Sequence, residues 1–182
     1  MKKVKDCERI LFKRSESTEA TEMKRKLCRL GQTLAFEVDI EEQPEFELGD
    51  LGTRHDVLWY SKPPDWCREL LRTMLARSDL EEGYRDLLES KQLERMLYTA
   101  FEIEAKDQTT KGMKGDISNL SKLPLGFIVV RRGSSEDNAS KGEPIRNRFE
   151  RALIEFRKLH GPNNVFVVSF EDIDRLLERI SQ

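Results

Sequence analysis

The stretch Tyr98-Thr99-Ala100-Phe101-Glu102-Ile103-Glu104-Ala105-Lys106 decides how the chain is read. Side chains alternate across a strand, so Phe101, Ile103 and Ala105 turn to one face while Glu102, Glu104 and Lys106 share the other. Neighbours on one face stand roughly 7 Å apart. Two carboxylates so placed repel each other unless a positive group stands beside them. A divalent cation relieves that repulsion, and Lys106 relieves part of it. The strand is expected to run from Leu97 to Lys106.

Working outward, Asp56-Val57-Leu58-Trp59-Tyr60 reads as a strand that leaves a loop containing Pro44, Gly49 and Gly52 and is broken by Ser61 to Pro64. Before the loop, Leu34, Phe36, Val38 and Ile40 alternate with polar residues, the pattern of a strand with one buried face. Further upstream, Ser17 or Thr18 caps a helix with Glu19 and Glu22 in its first turn, Met23, Leu27 and Leu30 on one side, and Gly31 as its stop. Between the second and third strands, residues 65–96 have helical periodicity. They are expected to form a helical hairpin, with Trp66, Leu70, Leu71, Met74 and Leu75 as the apolar positions of its first arm. After the third strand come a short helix from Lys114 to Leu123, a strand from Gly126 to Arg132, a helix from Pro144 to His160, a strand from Val165 to Ser169 and a closing helix from Glu171 to Ile180. Three strands in succession followed by strand–helix alternation predict an α/β fold with a mixed sheet flanked by helices on both faces.

The chain has 182 residues, which suits a single domain over 1–182 that includes the 65–96 hairpin. Apolar residues make up 37% and charged residues 36%, polar for a globular protein but dense enough in apolar blocks to close a core. No apolar run approaches the roughly 20 residues of a membrane helix, and the start lacks a signal-peptide stretch, so a soluble cytoplasmic protein is expected. Cys7, Cys28 and Cys67 lie far apart with no Cys-x-x-Cys spacing, which predicts three free thiols and no zinc site. With His55 and His160 the only histidines, little is left to build a serine or cysteine nucleophile. Metal chemistry would have to rest on carboxylates, hence on a hard ion such as magnesium or manganese.

The third strand supplies Glu102 and Glu104, and Asp56 opens the second. If the two strands are neighbours, three carboxylates meet beside a lysine. That set suits phosphodiester hydrolysis, in which a divalent ion offsets phosphate charge and acidifies water while the lysine orients it. The chain resembles the PD-(D/E)XK nuclease superfamily, with its restriction-endonuclease-like fold. The resemblance lies in His55-Asp56-Val57-Leu58-Trp59-Tyr60, then Phe101-Glu102-Ile103-Glu104, then Thr109-Thr110-Lys111-Gly112 and a helix, all after an N-terminal helix and strand. Members cleave DNA, less often RNA, using magnesium, and the resemblance implies that activity here.

The resemblance also implies roles for single residues. Asp56 takes the place of the motif's aspartate. The motif's second element is either Glu104-Ala105-Lys106 with Glu102 as an extra carboxylate, or Glu102-Ile103-Glu104. Asp56, Glu102 and Glu104 are then the metal ligands and, with Lys106, the catalytic set. Gln108 matches a glutamine that some members carry just past the motif, and Lys111 and Lys114 are placed to touch phosphate. His55 stands where the motif has proline and is expected to pack beside the strand. Cutting both strands of a duplex would call for a homodimer.

Charge distribution bears on the partner. The net charge is −2, yet residues 106–158 hold twelve basic against seven acidic residues, an excess that fits either a phosphate-contacting face or a solvated one. The leading expectation is a magnesium-dependent deoxyribonuclease. The runner-up is a catalytically idle module of the same fold that binds nucleic acid or a protein.

Overall fold

The computed structural model describes residues 7, 17–42, 55–79, 81–89, 95–105, 110–131 and 145–180. Its elements run α1 (Thr18–Thr33), β1 (Glu37–Glu42), β2 (His55–Ser61), α2 (Asp65–Leu75), α3 (Glu82–Glu89), β3 (Met96–Glu104), α4 (Thr110–Leu120), β4 (Gly126–Val130), α5 (Ile145–His160), β5 (Val165–Ser169) and α6 (Phe170–Ile180). The five strands form one sheet in the order β1-β2-β3-β4-β5. β2 runs antiparallel to β1 and β3, while β3, β4 and β5 are mutually parallel. The expected α/β class, the mixed sheet and the helices on both faces are all present.

Alternation along the strands divides the core in two. Val57, Trp59, Phe101 and Ile103 pack against Met23, Leu27 and Leu30 of α1 and Ile173 of α6. Leu58, Tyr60, Ala100, Ile128 and Val130 pack on the other face with Met113 and Ile117 of α4 and Phe149 of α5. The α4 and α5 crossovers thus lie on one face, as a run of parallel strands joined by helices of one hand requires. No described helix is long and apolar enough to cross a membrane.

Several boundaries differ from expectation. Ser17 is the α1 cap, its hydroxyl accepting from Ala20 N at 3.1 Å. Gly31, however, does not stop the helix. α1 continues to Thr33 with Leu34 as its C-cap, and Ala35 just beyond takes a left-handed φ of 63°. Gly31 instead marks a close approach, since a Cβ there would stand 2.6 Å from Trp59 Nε1. The longer helix takes Leu34 out of the first strand and leaves it exposed. α4 begins four residues before the expected Lys114, and β3 and β4 end sooner, at Glu104 and Val130. α2 and α3 fall within residues 65–96, but α2 buries none of its residues and Trp66 is 70% exposed, so its apolar periodicity does not correspond to a core stripe.

Two covalent and ionic features were not expected. Cys7 and Cys28 form a disulfide with Cα atoms 5.7 Å apart, leaving Cys67 as the free cysteine. The expectation of three free thiols is therefore wrong, because spacing of 21 along the chain says nothing about contact in space. Disulfides are rare where thiols are kept reduced, so the bridge weighs against a reducing cytoplasm. In addition, Arg95 lies 2.7 Å from Asp39, both buried, with its guanidinium 3.9 Å above the Tyr60 ring.

The Gly31 contact gives a stability prediction. Gly31→Ala should destabilise the protein by about 1–3 kcal/mol through overpacking against a buried indole, read as a lower urea midpoint. An unchanged midpoint would show that α1 and β2 are not held at this distance.

Candidate active site

Asp56, Glu102 and Glu104 come together because of how β2 and β3 part. Their pairing register runs from Ser61↔Met96 to Val57↔Phe101. One residue further on, the side chain of Asp56 takes over from the ladder, its Oδ2 accepting from Ile103 N at 2.8 Å. This seats the Asp56 carboxylate between the strands, next to the residues on either side of Ile103, which are Glu102 and Glu104. The strand adjacency on which the sequence reading depends is therefore present, and so is the shared face of the two glutamates.

Each carboxylate has a partner from a different element. Asp56 Oδ1 lies 2.9 Å from Lys24 Nζ on α1, and the lysine side chain is only 4% exposed. Glu102 Oε1 lies 2.6 Å from His55 Nδ1. Asp116 of α4 is near enough to Glu104 to raise its proton affinity through charge and hydrogen bonding. Four acidic side chains, one lysine and one histidine thus meet where β2 begins and β3 ends.

The electrostatics follow from this crowding. Burial, then the charges of Asp56 and Asp116, push the Glu102 carboxyl up to about 9, with Lys24 opposing. Burial, then Asp116, Asp56 and Glu102, push Glu104 up to about 8. Burial lowers the His55 imidazole below its ordinary value, against the pull of Asp56 and Asp116. At neutral pH this favours a protonated Glu102 donating to the Nδ1 of a neutral His55. His55 therefore does more than pack beside the strand. It fixes the rotamer of Glu102.

The donor set is all-oxygen and anionic, which suits a hard divalent ion. Among the described residues, however, no three His, Cys, Asp or Glu side chains stand as a ready ligand group. Glu102 is turned to His55 and Glu104 to Asp116, so an ion would have to draw at least one of them away from its present partner.

The remaining expected site residues divide as follows. Lys106 and Gln108 lie outside the described residues. Lys111 and Lys114 are exposed on α4, Lys114 standing 4.0 Å from Glu155. Glu19 pairs with Arg131, and Glu22 with Arg25 and Arg29. Sequence reading missed Lys24 and Asp116. The signal for both is a charge on an apolar stripe: Lys24 falls between buried Thr21 and Cys28 on α1, and Asp116 between buried Met113 and Ile117 on α4.

The chain matches no family model, no curated protein and no solved structure.

The raised carboxyls give a pH prediction. Glu102 and Glu104 bind protons more tightly in the folded than in the unfolded state. From the ordinary value of 4.5 up to their folded values near 9 and 8, stability therefore falls as pH rises. His55, shifted downward, acts oppositely and only below its ordinary value of 6.5. The melting temperature of the metal-free protein should thus decline between about pH 6.5 and 9, and Glu102→Gln should flatten the decline. A profile that Glu102→Gln leaves unaltered would contradict the assignment.

Proposed function

We propose that this chain is a magnesium-dependent endonuclease that hydrolyses phosphodiester bonds in DNA, of the restriction-endonuclease-like kind that its sequence resembles. The observation that carries the reading is the meeting of Asp56 from β2 with Glu102 and Glu104 from β3, through the Asp56–Ile103 hydrogen bond. Support also comes from the element order, a helix, three antiparallel strands, a helix and a parallel strand, with α2 and α3 inserted between β2 and β3. Magnesium, or manganese in its place, would be held by Asp56, Glu102 and Glu104. Bound there, it would offset phosphate charge and lower the pKa of water.

The chain's own residues then do the following. Asp56, clamped by Ile103 N and Lys24, is the fixed ligand. Glu102 and Glu104 are the adjustable ones, released from His55 and Asp116 as their protons leave. His55 orients the Glu102 carboxyl until its proton passes to solvent, and Asp116 acts on Glu104 from the α4 side. Lys106 remains the residue assigned to orient the attacking water, with Gln108, Lys111 and Lys114 as contacts to the phosphate backbone. A homodimer would provide two sites for cutting a duplex.

One observation favours the runner-up, an idle nuclease fold that binds nucleic acid or a protein. Every one of these carboxylates already has a partner within the protein.

Incubation of supercoiled plasmid with the purified chain separates the two readings. With magnesium or manganese the enzyme should nick the plasmid, and Asp56→Asn or Glu104→Gln should cut the rate by about 100-fold or more, the scale on which loss of a charge-stabilising group acts. Binding without cleavage of duplex DNA, single-stranded DNA or RNA would sink the nuclease reading in favour of the binding module.

A further inference from the structure

Lys24 occupies an unusual position for a lysine. It lies on the stripe of α1 that faces the sheet, 3% exposed, with Thr21, Leu27 and Cys28 buried around it. Its ammonium stands 2.9 Å from Asp56 Oδ1, while the other oxygen of Asp56 accepts from Ile103 N at 2.8 Å. Both oxygens of this carboxylate are thus engaged, one by the backbone and one by a fixed positive charge.

Bridging two divalent ions would require one Asp56 oxygen for each. An ammonium at Oδ1 repels a second divalent ion there, and repulsion at such distances is strong in a partly desolvated site. Nor does the lysine withdraw easily. Its helix is held against β2 by the close approach of Gly31 to Trp59, and a buried ammonium that leaves its carboxylate gives up its ion pair without reaching water. The influence of Lys24 extends past Asp56, since its charge also favours the ionised form of Glu102.

Resting on the reading of the site as a divalent-metal hydrolase, we propose that Lys24 is a resident cation of that site. It fills the place of a second ion, so each chain binds a single divalent metal.

The test is manganese binding to the metal-free full chain, followed by the electron paramagnetic resonance signal of free Mn2+. The wild-type chain should take up one ion. Lys24→Met, which keeps an unbranched side chain one atom shorter and removes its charge, should take up two. A wild-type chain that binds two ions overturns the inference and leaves the hydrolase reading standing, as does a folded Lys24→Met that binds only one. A wild-type chain that binds none overturns the hydrolase reading itself. Should Lys24→Met fail to give a cooperative melt, Lys24→Gln carries the comparison, and if neither folds the wild-type stoichiometry decides alone.

Discussion

The hydrogen bond from Ile103 N to Asp56 Oδ2 holds the rest of the site in place. A strand at the end of its ladder must satisfy its backbone donors with something, since an unpaired buried N–H costs about as much as a lost hydrogen bond. Here a side chain provides the acceptor. The solution draws a carboxylate into the gap between β2 and β3, and the alternation of β3 then places Glu102 and Glu104 immediately to either side of the bonded amide. Like charges follow from backbone economy, and the raised proton affinities of both glutamates follow from their burial first and from the like charges second.

Such an arrangement stores unfavourable electrostatics that can be relieved in three ways: by protons, by an internal cation or by an ion from solution. The metal-free protein uses the first two. Burial and neighbouring charges favour the protonated forms of Glu102 and Glu104, and Lys24 answers Asp56. A binding module would stop there. A hydrolase would exchange the protons for an ion, and the cost of that exchange rests with His55 and Asp116, whose present contacts must loosen.

Much of this was legible in the sequence. Period-two alternation in β3 separates Phe101 and Ile103 from Glu102 and Glu104, and the core on the α1/α6 side receives the first pair. The breaks at Ser61 to Pro64 and the strand–helix alternation after β3 were enough to give a mixed sheet. Reading Gly31 as a helix stop starts the first strand too early, since its role is to let α1 approach Trp59. Lys24 and Asp116 went unread because a charged residue on a helix is ordinarily solvated, and only the sheet shows which stripe of α1 or α4 is covered. The Cys7–Cys28 bridge had no local signature at all.

The most direct measurement is the anomalous scattering of manganese in crystals of the wild-type chain. The account predicts one peak at the start of β2, within ligand distance of Asp56 and of Glu102 or Glu104, with Lys24 still on Asp56 Oδ1 and Glu102 or Glu104 turned away from its present partner. No peak at saturating manganese, with Glu102 still on His55 and Glu104 still on Asp116, would contradict it.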